Sequence, residues 1–111
     1  MKLDLSKIEK EYGELRSRLA RVGWISQGYV QDRGPGAGGP CYQWTRKVRG
    51  KTVSVALSKE QYTALKEAIC GWREMESIVD RMQQLSRQMI FGTLPDTRRR
   101  KPLTKNVLGL N

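Results

Sequence analysis

The most informative segment of the chain for its fold is CYQWTRKVRGKTVSVAL, residues 41–57. Aromatic residues alternate with polar ones in its first half, and aliphatic residues alternate with polar ones in its second half. Alternation with a period of two is typical of half-buried strands. The Arg49-Gly50 pair between the two halves is a short turn signal, which favours a β-hairpin. We therefore predict antiparallel strands over residues 41–48 and 51–57.

The flanking segments complete a predicted α+β fold. Residues 24–31 mix aromatic, aliphatic and polar side chains and predict the first strand of a three-stranded antiparallel β-meander. The stretch from Gly34 to Pro40 is so rich in Gly and Pro that we predict a loop without regular structure. Ser6 and Glu9 fit the capping box that opens a helix, and apolar residues then recur every three or four positions as far as Val22.

A second capping box, Ser58 and Gln61, opens a predicted long C-terminal helix that runs to about residue 91. Such a helix is about 48 Å long, so the shorter N-terminal helix covers only about half of its apolar stripe. The two helices are expected to form an antiparallel or coiled-coil-like scaffold. The uncovered stripe predicts a contact with another surface, either a second copy of the chain (a homodimer) or a larger partner. The predicted partner-contacting residues are Leu65, Ile69, Trp72, Met75, Val79 and Met82.

The periodicity ends near Gly92, which suggests two parts. Residues 1–91 are predicted to form a single α-β-β-β-α domain. Residues 92–111 are predicted to be a basic flexible tail, because the segment combines a linker-like composition with the cluster Arg98-Arg99-Arg100-Lys101.

The composition excludes several classes of protein. The 111 residues include 21 Lys and Arg, 11 Asp and Glu and no His, for a formal net charge of +10. No apolar run is long enough to span a membrane, and no apolar segment follows the N-terminus as in a secretory signal. We therefore expect a cytoplasmic protein with no membrane contact. Cys41 and Cys70 are too few for a structural zinc site without histidine, so we expect reduced thiols and no metal or cofactor.

The charge is unevenly distributed along the chain. Residues 23–58 hold five basic side chains and one acid, and residues 92–111 again hold five and one, whereas residues 59–91 hold five of each. A basic excess concentrated in the strands and the tail predicts a surface that meets a polyanion. Such residues neutralise phosphates, while neighbouring aromatic and amide side chains stack on bases or bind their edges. The candidate nucleic-acid-binding residues are Arg33, Tyr42, Gln43, Arg46, Lys47, Arg49, Lys51, Arg98, Arg99, Arg100 and Lys101.

Simpler interpretations of the same residues stay open. Tyr42 and Trp44 are also what the inner face of a sheet packed on a helix would carry. Basic residues at a hairpin tip are often only solvated, and the arginine run is also typical of a solubilising tail.

The motifs GPCYQWTRKV (residues 39–48), GKTV (residues 50–53) and Leu57-Ser58 resemble a family of short bacterial proteins of uncharacterised function. The resemblance covers residues 23–86. Because that family is associated with mobile genetic elements, the resemblance implies an accessory role in handling DNA or RNA, and it implies no catalytic residue. Many members carry a cysteine-rich stretch before the Gly-Pro pair that suggests metal binding, but Gly34 to Gly39 takes its place here.

Two hypotheses follow. The first is a nucleic-acid-binding accessory protein of a mobile element or nucleoprotein complex, which contacts phosphates through the β-meander and the Arg-rich tail; DNA and RNA stay equally open. The second is a non-catalytic interaction subunit that docks its long helix on a larger nuclease or transposase. We expect no enzymatic activity, because no pair of nucleophile and base is recognisable.

Overall fold

A computed structural model describes residues 4–36, 39–94 and 103–110. The elements in chain order are α1 (Leu5–Ala20), β1 (Tyr29–Gly36), β2 (Gly39–Val48), β3 (Lys51–Leu57), α2 (Lys59–Thr93) and α3 (Lys105–Leu108). The sheet is antiparallel with the order β1-β2-β3. These elements confirm the predicted α+β fold.

Of the two predicted capping boxes, the one at the start of α2 is correct and the one at the start of α1 is wrong. At α2 the backbone N–H of Ser58 donates to Gln61 Oε1 at 2.9 Å, and the Gln61 N–H donates to Ser58 Oγ at 3.1 Å, so the predicted capping box is confirmed. The start of α1 is instead capped by Asp4, whose carboxylate accepts the N–H of Lys7 at 3.2 Å. Ser6 lies inside α1 and is not the cap, because an aspartate two positions earlier already serves that role.

The first strand differs from its prediction at both ends. Trp24 to Gly28 form a connection without regular secondary structure, and β1 begins only at Tyr29. The prediction of an irregular loop over Gly34 to Pro40 is also wrong, because Gly36 pairs with Gly39 at the end of the ladder.

A β-bulge allows the strands to pair this far. The register of β1 against β2 shifts between Asp32 and Pro35, and Gly34 has φ of +75°. The Asp32 carboxylate accepts the Gly34 N–H at 2.9 Å, which fixes the bulge. Since only glycine adopts this φ readily, the Gly-rich composition here serves a strand and not a loop.

The chain divides into two compact units, Met1–Arg21 with Glu76–Asn111, and Val22–Met75. In the first unit α1 and the C-terminal part of α2 form an antiparallel pair around Ile8, Leu15, Ile78 and Leu85, all of them buried. Arg81 makes a bidentate ion pair with Glu11, at 2.6 Å and 3.0 Å. Helix α3 also belongs to this unit: it is capped by Thr104 and ends at Gly109, where a Cβ would lie 2.7 Å from Arg87 Nη1.

In the second unit, which we call the sheet unit, the sheet lies against the N-terminal part of α2. Tyr42 of β2 contacts Tyr62 of α2, with ring centroids 4.8 Å apart. The connection before β1 crosses the same helix: Ser26 N–H donates to the Ala68 carbonyl at 3.1 Å, and a Cβ on Gly71 would lie 3.0 Å from the Trp24 carbonyl oxygen. Gly71 therefore permits a close approach of two backbones.

In the described part of the chain, no helix has both the length and the apolar character that crossing a bilayer requires.

Candidate functional site

The strand register divides the candidate residues between two faces of the sheet. Because side chains alternate along a strand, cross-strand partners share a face. Trp44 pairs with Val30 and Val55, whereas Thr45 pairs with Tyr29 and Ser54. The first face, which we call the packed face, carries Val30, Asp32, Tyr42, Trp44, Arg46, Val48, Lys51, Val53, Val55 and Leu57. The second, the open face, carries Tyr29, Gln31, Arg33, Gln43, Thr45, Lys47, Thr52, Ser54 and Ala56.

Aromatic residues of the packed face are engaged within the protein. Tyr42 is half-buried against Tyr62, and the Trp44 indole N–H donates to the Gln27 carbonyl at 3.1 Å. The Arg46 guanidinium lies over the Trp44 ring, 5.1 Å from its centroid, in a cation–π contact. The candidate Tyr42 therefore contributes to packing, and Arg46 presents its charge beside an indole on this face.

The open face is polar and hydrogen-bonded. Arg33 Nη1 donates to Gln43 Oε1 at 3.2 Å, which joins two candidate residues across β1 and β2. Thr45 and Ser54 share a hydrogen bond of 3.1 Å between β2 and β3. Lys47 is exposed at the end of this row, diagonally across from Tyr29. Tyr29 neighbours the basic cluster in the sequence but is not one of the candidate nucleic-acid-binding residues, and its side chain is 58% exposed.

The hairpin turn carries the remaining cations of the sheet. Arg49 and Gly50 have φ of +52° and +80°, which is the signature of a type I′ turn. Arg49 is exposed at the tip, and Lys51 is exposed at the start of β3 opposite Val48. The predicted cluster is thus distributed over both faces and the tip.

Within the described part of the chain, the five cations of the strand region have no acidic partner. Among the described residues, Arg33, Arg46, Lys47, Arg49 and Lys51 form no ion pair. The single acid of residues 23–58, Asp32, accepts the Gly34 N–H and lies on the packed face. The positive charge of this region is therefore not neutralised by neighbouring carboxylates.

The predicted partner residues of α2 are covered to a large extent within one chain. Ile69 is buried, and Leu65, Trp72, Met75, Val79 and Met82 are half-buried. In the first unit, a groove of about 360 Å³ lies between α1 and the C-terminal part of α2. It is lined by Ile8, Tyr12, Leu85, Met89 and Ile90 among others. Exposed apolar side chains near the end of α2 include Ile90 and Leu94.

The tail candidates Arg98, Arg99, Arg100 and Lys101 lie outside the described residues.

Sequence reasoning also missed Trp24. Its side chain is 94% exposed, although the pattern of residues 24–31 suggested a half-buried strand. The carbonyl contact at Gly71 and the hydrogen bond of Ser26 to Ala68 hold this connection on α2 by its backbone, which directs the indole away from the protein. No sequence signal distinguishes this arrangement from a strand.

Two further observations concern metal and thiol chemistry. Cys41 is half-buried and Cys70 exposed, and both are free thiols. Within the described ranges, no three Cys, Asp or Glu side chains come together as metal ligands would.

No protein-family model, no curated protein and no solved structure matches this chain.

Proposed function

We propose that the protein binds nucleic acid, with the open face and hairpin tip of the sheet contacting the phosphates. The observation that supports this most strongly is that the cations of the open face and the tip, Arg33, Lys47 and Arg49, form no ion pair within the described residues. The single acid of residues 23–58, Asp32, is itself hydrogen-bonded to Gly34. Surface cations that neutralise phosphates release the counterions condensed on the polyanion. This release is the dominant sequence-independent contribution to such binding. The arginine-rich run of residues 98–101 adds a second basic segment.

The open face supplies the chemistry that such a surface needs. Lys47 and Arg33 neutralise phosphates, while Gln31 and Gln43 offer amide groups that hydrogen-bond to base edges or sugars. The side chains of this surface are hydrogen-bonded to one another, so it needs little rearrangement to receive a ligand. An accessory role in a mobile element or other nucleoprotein complex is consistent with a small binding module of this kind.

Replacement of Lys47 tests this proposal. Lys47→Ala removes one phosphate contact, so it should weaken binding to a labelled oligonucleotide and lower the slope of log affinity against log salt by about one. The matched control is Lys10→Ala, which removes the same charge from an exposed position of α1. Equal effects of the two substitutions would contradict the assignment of binding to the sheet.

A second candidate function is docking of α2 on a larger protein such as a nuclease or transposase. It is favoured by the exposure of Ile90 (48%) and Leu94 (68%) near the end of the helix. This function would leave the interaction with nucleic acid to the partner. It therefore predicts that Lys47→Ala has no effect on any oligonucleotide binding by the isolated chain.

A further inference from the structure

The Trp24 side chain is held in an orientation that leaves it almost unburied by the rest of the protein. Fully burying a tryptophan removes about 150–250 Å² of surface from water and stabilises a protein substantially. This side chain is 94% exposed, in contrast to Trp44, whose indole is half-buried and hydrogen-bonded to Gln27. The indole of Trp24 is thus available to a ligand.

The backbone that carries Trp24 is fixed on the residues around it. Its own carbonyl oxygen abuts Gly71, the N–H of Ser26 donates to Ala68 at 3.1 Å, and the Gln27 carbonyl accepts the Trp44 indole. An exposed aromatic ring on an anchored backbone loses little entropy when it binds. These contacts favour a preorganised binding residue over a mobile loop.

The charges of the same unit indicate what the ring meets. The five cations of the strand region, which form no ion pair among the described residues, complement a polyanion. A polyanion that also stacks on aromatic rings is a nucleic acid. Tyr29, 58% exposed on the open face, is five residues from Trp24, so their Cα atoms are at most about 18 Å apart. The two rings therefore lie within the span of one short oligonucleotide.

Strandedness follows from the chemistry of stacking. In a duplex the faces of the bases are covered by their neighbours, and only the edges and the backbone are accessible. Unpaired bases expose their faces and stack on aromatic side chains. We propose that the preferred ligand is single-stranded nucleic acid, with bases stacked on Trp24 and Tyr29 and phosphates on the cations of the sheet. This inference rests on the proposed function.

The test compares three ligands by fluorescence anisotropy at low salt. They are an oligothymidylate of about twelve nucleotides, within the usual site size of single-strand-binding folds, an abasic phosphodiester of the same length, and a duplex of the same length. The abasic ligand keeps the phosphates but offers no ring to stack on. We expect the wild-type protein to bind oligothymidylate most tightly.

The variants are Trp24→Ala, Trp24→Phe and Tyr29→Ala, with Leu94→Ala as a control that removes an exposed apolar side chain from the other unit. Trp24→Ala should weaken binding to oligothymidylate about tenfold and leave binding to the abasic ligand unchanged. Tyr29→Ala should act in the same direction, and Trp24→Phe should retain most of the affinity. The control should bind all three ligands like the wild type.

Two results would overturn the inference while leaving the proposed function intact: unchanged binding of oligothymidylate by Trp24→Ala, or binding of the duplex at least as tight as that of the single strand. Absence of binding to any of the three ligands at low salt would overturn the proposed function as well.

Discussion

Gly28 shows how a single missing side chain positions the entry to the sheet. Its φ is +116°, a conformation that L-residues with side chains rarely adopt, and a Cβ there would overlap the indole nitrogen of Trp44. The same indole donates to the carbonyl of the preceding residue, Gln27. Glycine at this position therefore lets the connection turn around Trp44 before β1 begins.

Gly28→Ala should lower the free energy of unfolding by about 2 kcal/mol or more, because it combines backbone strain with a steric overlap. Gly13→Ala is the matched control, since Gly13 lies in α1 with open space around its Cβ position. That substitution should raise stability by about 0.5–1 kcal/mol. Urea denaturation measures both, and equal effects would contradict this account of Gly28.

The two helix starts predict opposite outcomes for two similar serines. Ser58→Ala removes the hydroxyl that accepts the Gln61 N–H at the start of α2 and should cost about 1 kcal/mol of stability. Ser6→Ala acts inside α1, where Asp4 already provides the cap, so it should be neutral or slightly stabilising. Thermal unfolding of the two variants checks this, and a loss at Ser6 as large as at Ser58 would argue for a different cap.

The pairing of α1 with α2 carries a pH dependence. The hydrogen bonds from Arg81 hold the pKa of the Glu11 carboxyl below its usual value of 4.5, and Glu11 in turn raises the pKa of Arg81. Since the pKa of Glu11 is lower in the folded state, its contribution to stability is complete above the usual glutamate range and is lost as the pH falls through the lowered pKa. Both side chains are about 40% exposed, so solvent screening keeps the contribution below about 1 kcal/mol.

Glu11→Gln should therefore reduce the free energy of unfolding modestly at pH 7 and hardly at all in strong acid. Urea denaturation at the two pH values measures the difference. A larger loss in acid than at neutral pH would contradict the assigned sign.

Individual elements differ in how far the sequence predicts them. The hairpin and the start of α2 are encoded locally, by the Arg49-Gly50 turn and by the capping box of Ser58, and both predictions are confirmed. The start of β1 is decided by tertiary contacts of Trp24 and Ser26 with α2, which no local pattern records. The pairing of Gly36 with Gly39 depends on the bulge at Gly34. A composition that is typical of loops therefore occurs here at the end of two paired strands, and the sequence pattern predicted a loop.

The candidate site was predictable in its charge and not in its geometry. The basic excess of residues 23–58 is visible in the sequence, but Tyr42 is engaged by Tyr62, a contact between residues twenty positions apart. Conversely, the sequence pattern places Trp24 in a half-buried strand, whereas its side chain is the most exposed of the large apolar side chains described. Which aromatic rings stay available to a ligand therefore depends on packing, which only the folded chain reveals.

For the molecule as a whole, the charge distribution connects the fold with the proposed function. The described part of α2 combines basic and acidic side chains in equal number over residues 59–91, whereas the strand region and the segment 92–111 carry most of the excess positive charge. Because the charges of residues 59–91 cancel, the positive potential of the sheet unit is concentrated on its strands, where phosphates would bind.

The salt dependence of oligonucleotide binding by the full-length wild-type chain tests this account most directly. Engagement of the cations of the open face and the hairpin tip, Arg33, Lys47 and Arg49, with single-stranded phosphates predicts that log affinity falls linearly with log salt. The slope should be about −2, or steeper if other cations of the sheet or the tail contribute. Binding that is absent at low salt, or an affinity that does not change with salt, would contradict it.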